Sequence, residues 1–332
     1  MQGDEMRDVE LESTLPEVIP AEGWTSGEYG SFVLASRYCG FRRSVRQCPG
    51  TWQHGWAPEY YNVDIEMVVG THGRARDELQ RSRFFVARQD QVAFLESAGA
   101  RLAVAVGLPI IYTSPVSVAR QPNSLLVVPV HSTSNTTHSW DFESYAGAVA
   151  SIKSRFSRVT VCVHASCVEK RYWIDAFESR GISWVVGADY ANANTLQRIR
   201  QLFSCFQYVT TNGFGSHLAY AAAFGAQVSL WGPVAVHRME DMAKDTLTIN
   251  SPASMRRMLA FADEAFLRQQ YPDFFTVPWD APLRTEWGLK QIGWENRKSP
   301  DELKRIFGWD LKTRVIRGVG GRLRKAFGLG HR

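Results

Sequence analysis

Between about residue 30 and residue 270 the chain alternates short apolar runs with longer amphipathic stretches, the rhythm of parallel strands joined by helices. The first half offers strand-like runs at 31–35, 65–69, 84–87 and 102–106, with a helix at 91–98. The second half is more regular. Strands are expected at 125–130, 159–164, 182–186, 207–210 and 228–231, and helices at 142–156, 169–179, 195–203 and 216–224. In the first of these helices Phe142, Tyr145, Ala146, Val149, Ile152 and Phe156 share one face, as a helix lying on a sheet requires. Ser251-Pro252 and Ser299-Pro300 each read as a cap followed by a first-turn proline, starting a helix that runs to about 270 and another over 301–307.

This pattern predicts an α/β protein with two Rossmann-like units, whose ligands would lie at the carboxyl ends of the strands. The expected organisation is an acidic tail at 1–22, a first unit at 23–119, a second at 120–272, a helical extension at 273–310 and a basic tail at 311–332. Residues 120–124, with Pro122 and Asn123, are the expected hinge. The Gly-, Arg- and Trp-rich connection at 37–59 is long enough to be functional.

Composition narrows the class. With 332 residues, 45% hydrophobic and 21% charged, the chain can bury a sizeable core and is neither fibrous nor wholly disordered. The net charge of +5 hides a polarised layout: residues 1–22 hold seven acids and one Arg, whereas residues 311–332 hold seven Lys/Arg and no acid. The basic balance therefore belongs first to the tail, and no nucleic-acid partner is expected. Five cysteines without a Cys-x-x-Cys pair support neither a disulfide framework nor a zinc site, and the acidic start suits a cytoplasmic protein. Residues 201–237 contain no charged side chain, yet Thr210-Thr211-Asn212-Gly213 and Pro233 interrupt them. They read as a buried strand-loop-helix-strand, not a membrane span.

Within that uncharged stretch, Thr211, Asn212, Gly213, Gly215 and Ser216 lie between a strand and an Ala-rich helix. Free backbone N–H groups and a helix N-terminus there could cradle a phosphate without a lysine; the same residues would also make a tight turn with a capping serine. His131, followed by Ser132, ends the first strand of the second unit on the same rim, where it could meet a diphosphate or serve only as a polar cap. His164, another strand-end histidine, is a weaker candidate. In the first unit Trp52-Gln53-His54-Gly55-Trp56 offers a general base flanked by glycine and tryptophans, although tryptophans also pack cores. The acids of Asp64-Ile65-Glu66 sit in an apolar pattern, so neither a metal nor a resident cofactor is expected. Serine-elbow, Walker and His-Glu-x-x-His motifs do not occur.

His54-Gly55, Pro129-Val130-His131-Ser132 and Thr211-Asn212-Gly213-Phe214-Gly215-Ser216 together resemble glycosyltransferases of the GT-B fold. More narrowly, they are similar to the bacterial branch holding polysialyltransferases, Kdo transferases and teichoic-acid glycerophosphotransferases, which use cytidine-activated donors. The segment from Phe84 through Arg88 to Tyr112 resembles a surface-polysaccharide family segment. The resemblance implies two Rossmann-like domains facing a cleft and metal-independent, inverting transfer of a sugar from a nucleotide sugar to a glycan or lipid-linked acceptor. His54 would then be the base and His131 a phosphate contact. Ser132, Thr211, Asn212, Gly213, Gly215 and Ser216 would hold the donor phosphate, and Gly55, Trp56 and Arg88 the substrate. Ser132 stands where the family has Pro, and Gly215-Ser216 where it has paired hydroxyls. An epimerase on the same fold, or a non-catalytic sugar-binding or assembly subunit, remains open at this point.

Leu311, Val315, Val319, Leu323 and Phe327 recur at four-residue steps among basic residues, a pattern suited to an anionic membrane surface; five glycines between 318 and 330 suit a disordered basic tail equally. A peripheral position on the inner face of the plasma membrane is the expectation. Flotation with anionic vesicles tests it: a chain ending at Asp310 should lose binding that the full chain shows, and undiminished flotation would refute the tail's role.

Overall fold

The computed structural model describes residues 6–70, 79–132 and 136–310, and its described strands form two wholly parallel sheets. Strands β1 (Thr51–Trp52), β2 (Arg83–Val86) and β3 (Leu102–Ala105) pair in the order β1-β2-β3. Strands β4 (Gln121–Val127), β5 (Arg158–Val163), β6 (Ser183–Val186), β7 (Phe206–Thr211) and β8 (Gln227–Leu230) pair in the order β6-β5-β4-β7-β8. That order makes β4 and β7 neighbours although two strands separate them in sequence. The direction of winding reverses there, and in open α/β sheets such a switch point leaves a crevice at the strand ends.

Both sheets are covered on both faces, which is why their strands read as continuous apolar runs. Leu125 and Val127 of β4 pack in one cluster with Tyr145, Val149 and Trp173, while Leu126 and Val128 face the other way. In the first sheet Phe84 and Val86 pack with Ile65, Val68 and Leu95, whereas Phe85 and Ala87 turn inward. The inward residues of both sheets belong to one continuous apolar cluster with Trp52, Tyr112, Phe307, Ala219 and the alanines 221–223.

The chain after the second sheet returns to complete the first. The helix Thr285–Gln291 lies so close to the helix Ser216–Ala223 that a Cβ on Gly288 would come within 2.2 Å of the Ala223 nitrogen. Ile292 then accepts from the Leu108 amide at 3.0 Å, and Asn296 Nδ2 donates to the Ala87 carbonyl at 2.9 Å. A Ser299–Glu302 capping box opens Pro300–Phe307, as the sequence led one to expect, and its Phe307 ring sits 5.3 Å from Trp52 and 4.8 Å from Phe85.

Several expectations change. Residues 31–35 and 65–69 are helical, in Ser31–Tyr38 and Ile65–Val69. Gly30 enters the first of these in the left-handed conformation, and the Asp64 carboxylate caps the second by accepting from the Glu66 amide. The helix expected over 169–179 is two short pieces, Ala165–Glu169 and Ile174–Glu178, separated at Trp173, whose positive φ of 70° lets its indole reach the Val130 carbonyl at 2.7 Å. The helix expected to run to 270 breaks between Phe261 and Glu264, where Asp263 caps a second one. Gln121–Val127 is already strand, so the expected hinge instead opens the second sheet. The strand-loop-helix-strand over 201–237 is present, and among the described residues no helix is long and apolar enough to cross a membrane. The basic tail lies outside the described residues.

From Met6 onward the acidic start of the chain is docked rather than trailing. Asp8 donates its amide to Trp184 of β6 at 2.7 Å, and its carboxylate takes two hydrogen bonds from Arg158 at 2.6 and 2.7 Å. Burial alone would raise the Asp8 pKa, but Arg158, the Leu11 amide and the Thr160 hydroxyl outweigh it and hold it below 3.8. A depressed carboxylate stabilises the fold above its unfolded pKa and loses that contribution as pH falls through the folded value. Asp8→Asn should therefore cost about 1–3 kcal/mol at neutral pH. Chemical denaturation as a function of pH should show the gap to wild type closing in the acid range below 3.8.

Candidate functional site

A cavity of about 290 Å³ opens at the carboxyl ends of β4 and β7, on the switch point itself. One wall is the turn after β4, Val128 to His131. Opposite it stand Gly215, Ser216 and His217, where the chain leaves β7 and enters the helix Ser216–Ala223. His54, Gly55 and Tyr29 from the first half close the cavity.

Strand pairing ends here, and the freed backbone groups find new partners. The Val130 amide donates to Asn212 Oδ1 at 3.1 Å, and the Asn212 carbonyl accepts from the Ala235 amide at 2.8 Å. A Cβ on Gly213 would come within 2.2 Å of Val130, so only glycine allows the two strand ends to lie this close. Thr211 Oγ1 donates to the Gly213 carbonyl at 3.0 Å and accepts from the Gly213 amide and from His217 Nε2. Asn212, Gly213 and Thr211 thus shape the turn and are buried behind it, whereas Gly215 and Ser216 face the cavity. No side chain caps the helix that follows, because its N-cap is Gly215; the Ser216 hydroxyl, at the first helical position, accepts from the Trp56 amide at 2.9 Å.

That bond fixes the His54 loop against the second sheet, and Tyr220 adds another by donating to the His54 carbonyl at 3.0 Å. The His54 ring pairs through Nδ1 with the Glu28 carboxylate. Burial alone would lower the His54 pKa, but the adjacent carboxylate outweighs it and the net shift is upward. With Nδ1 engaged by a carboxylate, Nε2 is the basic nitrogen, the arrangement that prepares an imidazole to take a proton.

Four more histidines line the cavity: His131, His164, His217 and His237. Burial lowers the pKa of each, and neighbouring imidazoles lower three further, to about 3 for His164 and His217 and about 4 for His237. Burial thus favours the neutral ring at His131. Its Nδ1 lies 3.1 Å from the Ser132 carbonyl, an acceptor, so the network assigns the proton to Nδ1 and leaves Nε2 as a lone pair. The ring stacks on His164 at 4.5 Å and 19°. Tyr29 joins the two ends of the site, with centroids 6.0 Å from both His54 and His164. Its φ of 54° lies in the left-handed region, where strained residues gather at functional sites.

The remaining sequence candidates stand apart from this cavity. Ser132 is buried with its hydroxyl 3.0 Å from that of Thr136. Trp56 is buried against Phe214 at 4.5 Å, with its indole donating to Gln291 at 2.8 Å. Arg88 is buried and spends its guanidinium on Asp90, on the Ala57 carbonyl and on Gln291. Among the described residues no group of three or more His, Cys, Asp or Glu is placed to hold a metal ion. Glu28, Tyr29 and His217 went unnoticed in sequence; only the Gly27 and Gly30 that flank the first two hinted at an unusual turn.

Compared with protein-family models and with curated proteins, the chain matches none. If Glu28 raises the His54 pKa through their pairing, Glu28→Gln should move the His54 titration downward in an NMR pH series. An unchanged midpoint would separate the two residues functionally.

Proposed function

We propose that the protein is a glycosyltransferase with a GT-B-like arrangement, moving a sugar from a nucleotide-activated donor to an acceptor hydroxyl. One observation carries this reading: a carboxylate-paired histidine from the first half shares a cavity with an uncapped helix N-terminus at the switch point of a parallel sheet. The donor's phosphates would lie against the Gly215–Ser216 turn, where the amides and the helix dipole face negative charge.

His54 Nε2 takes the proton of the acceptor hydroxyl, and the freed oxygen electron pair bonds to the anomeric carbon. The bond from that carbon to the donor phosphate oxygen breaks, and its electron pair stays on the leaving phosphate. Attack from the face opposite the phosphate inverts the centre. The developing charge meets the helix amides and His131, which gains a proton on Nε2 when an anion lies beside it. Because the free ring presents a lone pair, donor binding takes up a proton. A cytidine nucleotide, a surface-glycan or lipid-linked acceptor, and an anionic membrane surface met by residues 311–332 complete the proposal.

A thermal-shift screen against CMP, CDP, UDP, GDP, ADP and dTDP tests the donor side, since a ligand selective for the folded state raises Tm. One nucleotide should stabilise the protein, more strongly as pH falls from 8 to about 6 around the ordinary histidine range. His131→Ala should lose that shift. His54→Ala should keep it while turnover drops by about 10²–10⁴. Stabilisation by none of the six, or equal loss of nucleotide binding in both variants, would overturn the assignment.

A further inference from the structure

Beyond the histidine cavity, on the other side of His54, lies a second cavity of about 400 Å³. The two share His54, Gly55, Phe214, Ser216 and His237, so the candidate base stands on the wall common to both. Their chemistry differs. The first gathers five imidazoles among apolar residues such as Leu196, Ile199 and Phe203, while the second is lined by Met67, Met242, Met255 and Met258 together with Leu247 and Leu259. Four of the chain's seven methionines therefore converge on one hollow. Unbranched thioether side chains adapt to irregular apolar ligands, and clustered methionines mark surfaces that accept apolar partners.

The walls are held in place. Asp64, which caps Ile65–Val69, also accepts from Ser254 Oγ at 2.8 Å and Arg257 Nη1 at 2.6 Å, binding that helix to Pro252–Phe261 across the hollow. Charge selects further. Glu66 and Asp245 lie on the lining, and among the described residues no Lys or Arg does, so the described wall offers an anionic ligand no positive partner. The volume falls within the range of about 300–1,000 Å³ usual for small-molecule sites.

We propose that this methionine-lined cavity is the acceptor subsite, and that it takes a neutral aliphatic alcohol whose chain lies among the methionines and whose hydroxyl reaches His54. The inference rests on the glycosyltransferase reading and adds the class of acceptor: an apolar aglycone, in place of a free polar glycan. His54 then stands between donor and acceptor, taking the hydroxyl proton from one cavity while the oxygen attacks the sugar held in the other.

Isothermal titration of the full-length protein with decan-1-ol, and with decanoate as its charged counterpart, tests the subsite. One decanol should bind per chain, and decanoate at pH 8 more weakly. Met258→Gln places an amide on a half-buried part of the wall, and Met258→Trp fills the space. Each should weaken decanol binding by about tenfold or more, since a buried unpaired amide or a lost cavity costs at least 1.4 kcal/mol. Each should also keep the nucleotide-induced Tm shift, which certifies the fold, and His131→Ala should leave decanol binding unchanged. Nucleotide binding without decanol binding, or decanol affinity equal in wild type and both Met258 variants, overturns the subsite and leaves the donor reading standing. Decanol binding with no nucleotide response overturns the donor reading, and with it the acceptor role.

Discussion

Where two neighbouring parallel strands part, backbone groups that were paired within the sheet lose their partners, and a buried amide left without one costs about 1–3 kcal/mol. In this protein the problem falls at the ends of β4 and β7, and Asn212 answers it by accepting from Val130 through its side chain and from Ala235 through its carbonyl. The candidate site is arranged around that solution. The strand ends stay close enough for Gly213 to pack on Val130, His131 is delivered to one rim, and the helix Ser216–Ala223 starts on the other. Ser216, the first residue of that helix, holds the Trp56 amide and so fixes His54 opposite.

The cluster of imidazoles is an economical answer to a conflicting demand. A cavity in the middle of an apolar body cannot hold several fixed charges without large desolvation costs. Neutral histidines avoid that cost when the site is empty, yet each can acquire charge when an anion arrives. His54 differs from the other four because Glu28 travels with it, so its basicity is set by a permanent partner and theirs by the ligand.

How far the sequence was legible depended on distance along the chain. The second sheet could be read because each strand is a run of buried residues bounded by turn formers, and β4, β5, β6, β7 and β8 all fall within a few residues of expectation. In the first half, runs of five apolar residues carry no period that separates a strand from a short helix, and local capping by Asp64 and a left-handed Gly30 decided the outcome. His54 and His131 were visible from the strands and glycines beside them. Glu28 was not, because its pairing joins residues 26 apart across an irregular loop, and no local pattern encodes such a contact. Arg88 lies the other way: its type suggests a ligand, but Asp90, the Ala57 carbonyl and Gln291, the last brought in by the C-terminal segment, take up its guanidinium in the interior.

The inward faces of the two sheets belong to one uninterrupted apolar cluster that also takes in Phe307 and Trp52. Separating the halves as rigid bodies would expose that surface to water, and large hydrophobic interfaces of this kind suppress relative domain motion. On the proposed reading, ligands would then be admitted by rotamer changes and loop shifts of a few ångströms. Mechanically, the molecule is closer to a vice set to a fixed gap than to a pair of jaws. Its weak points are accordingly remote ones: a cavity opened beneath Phe307, far from any reacting atom, would loosen the same body that holds His54 to the second sheet.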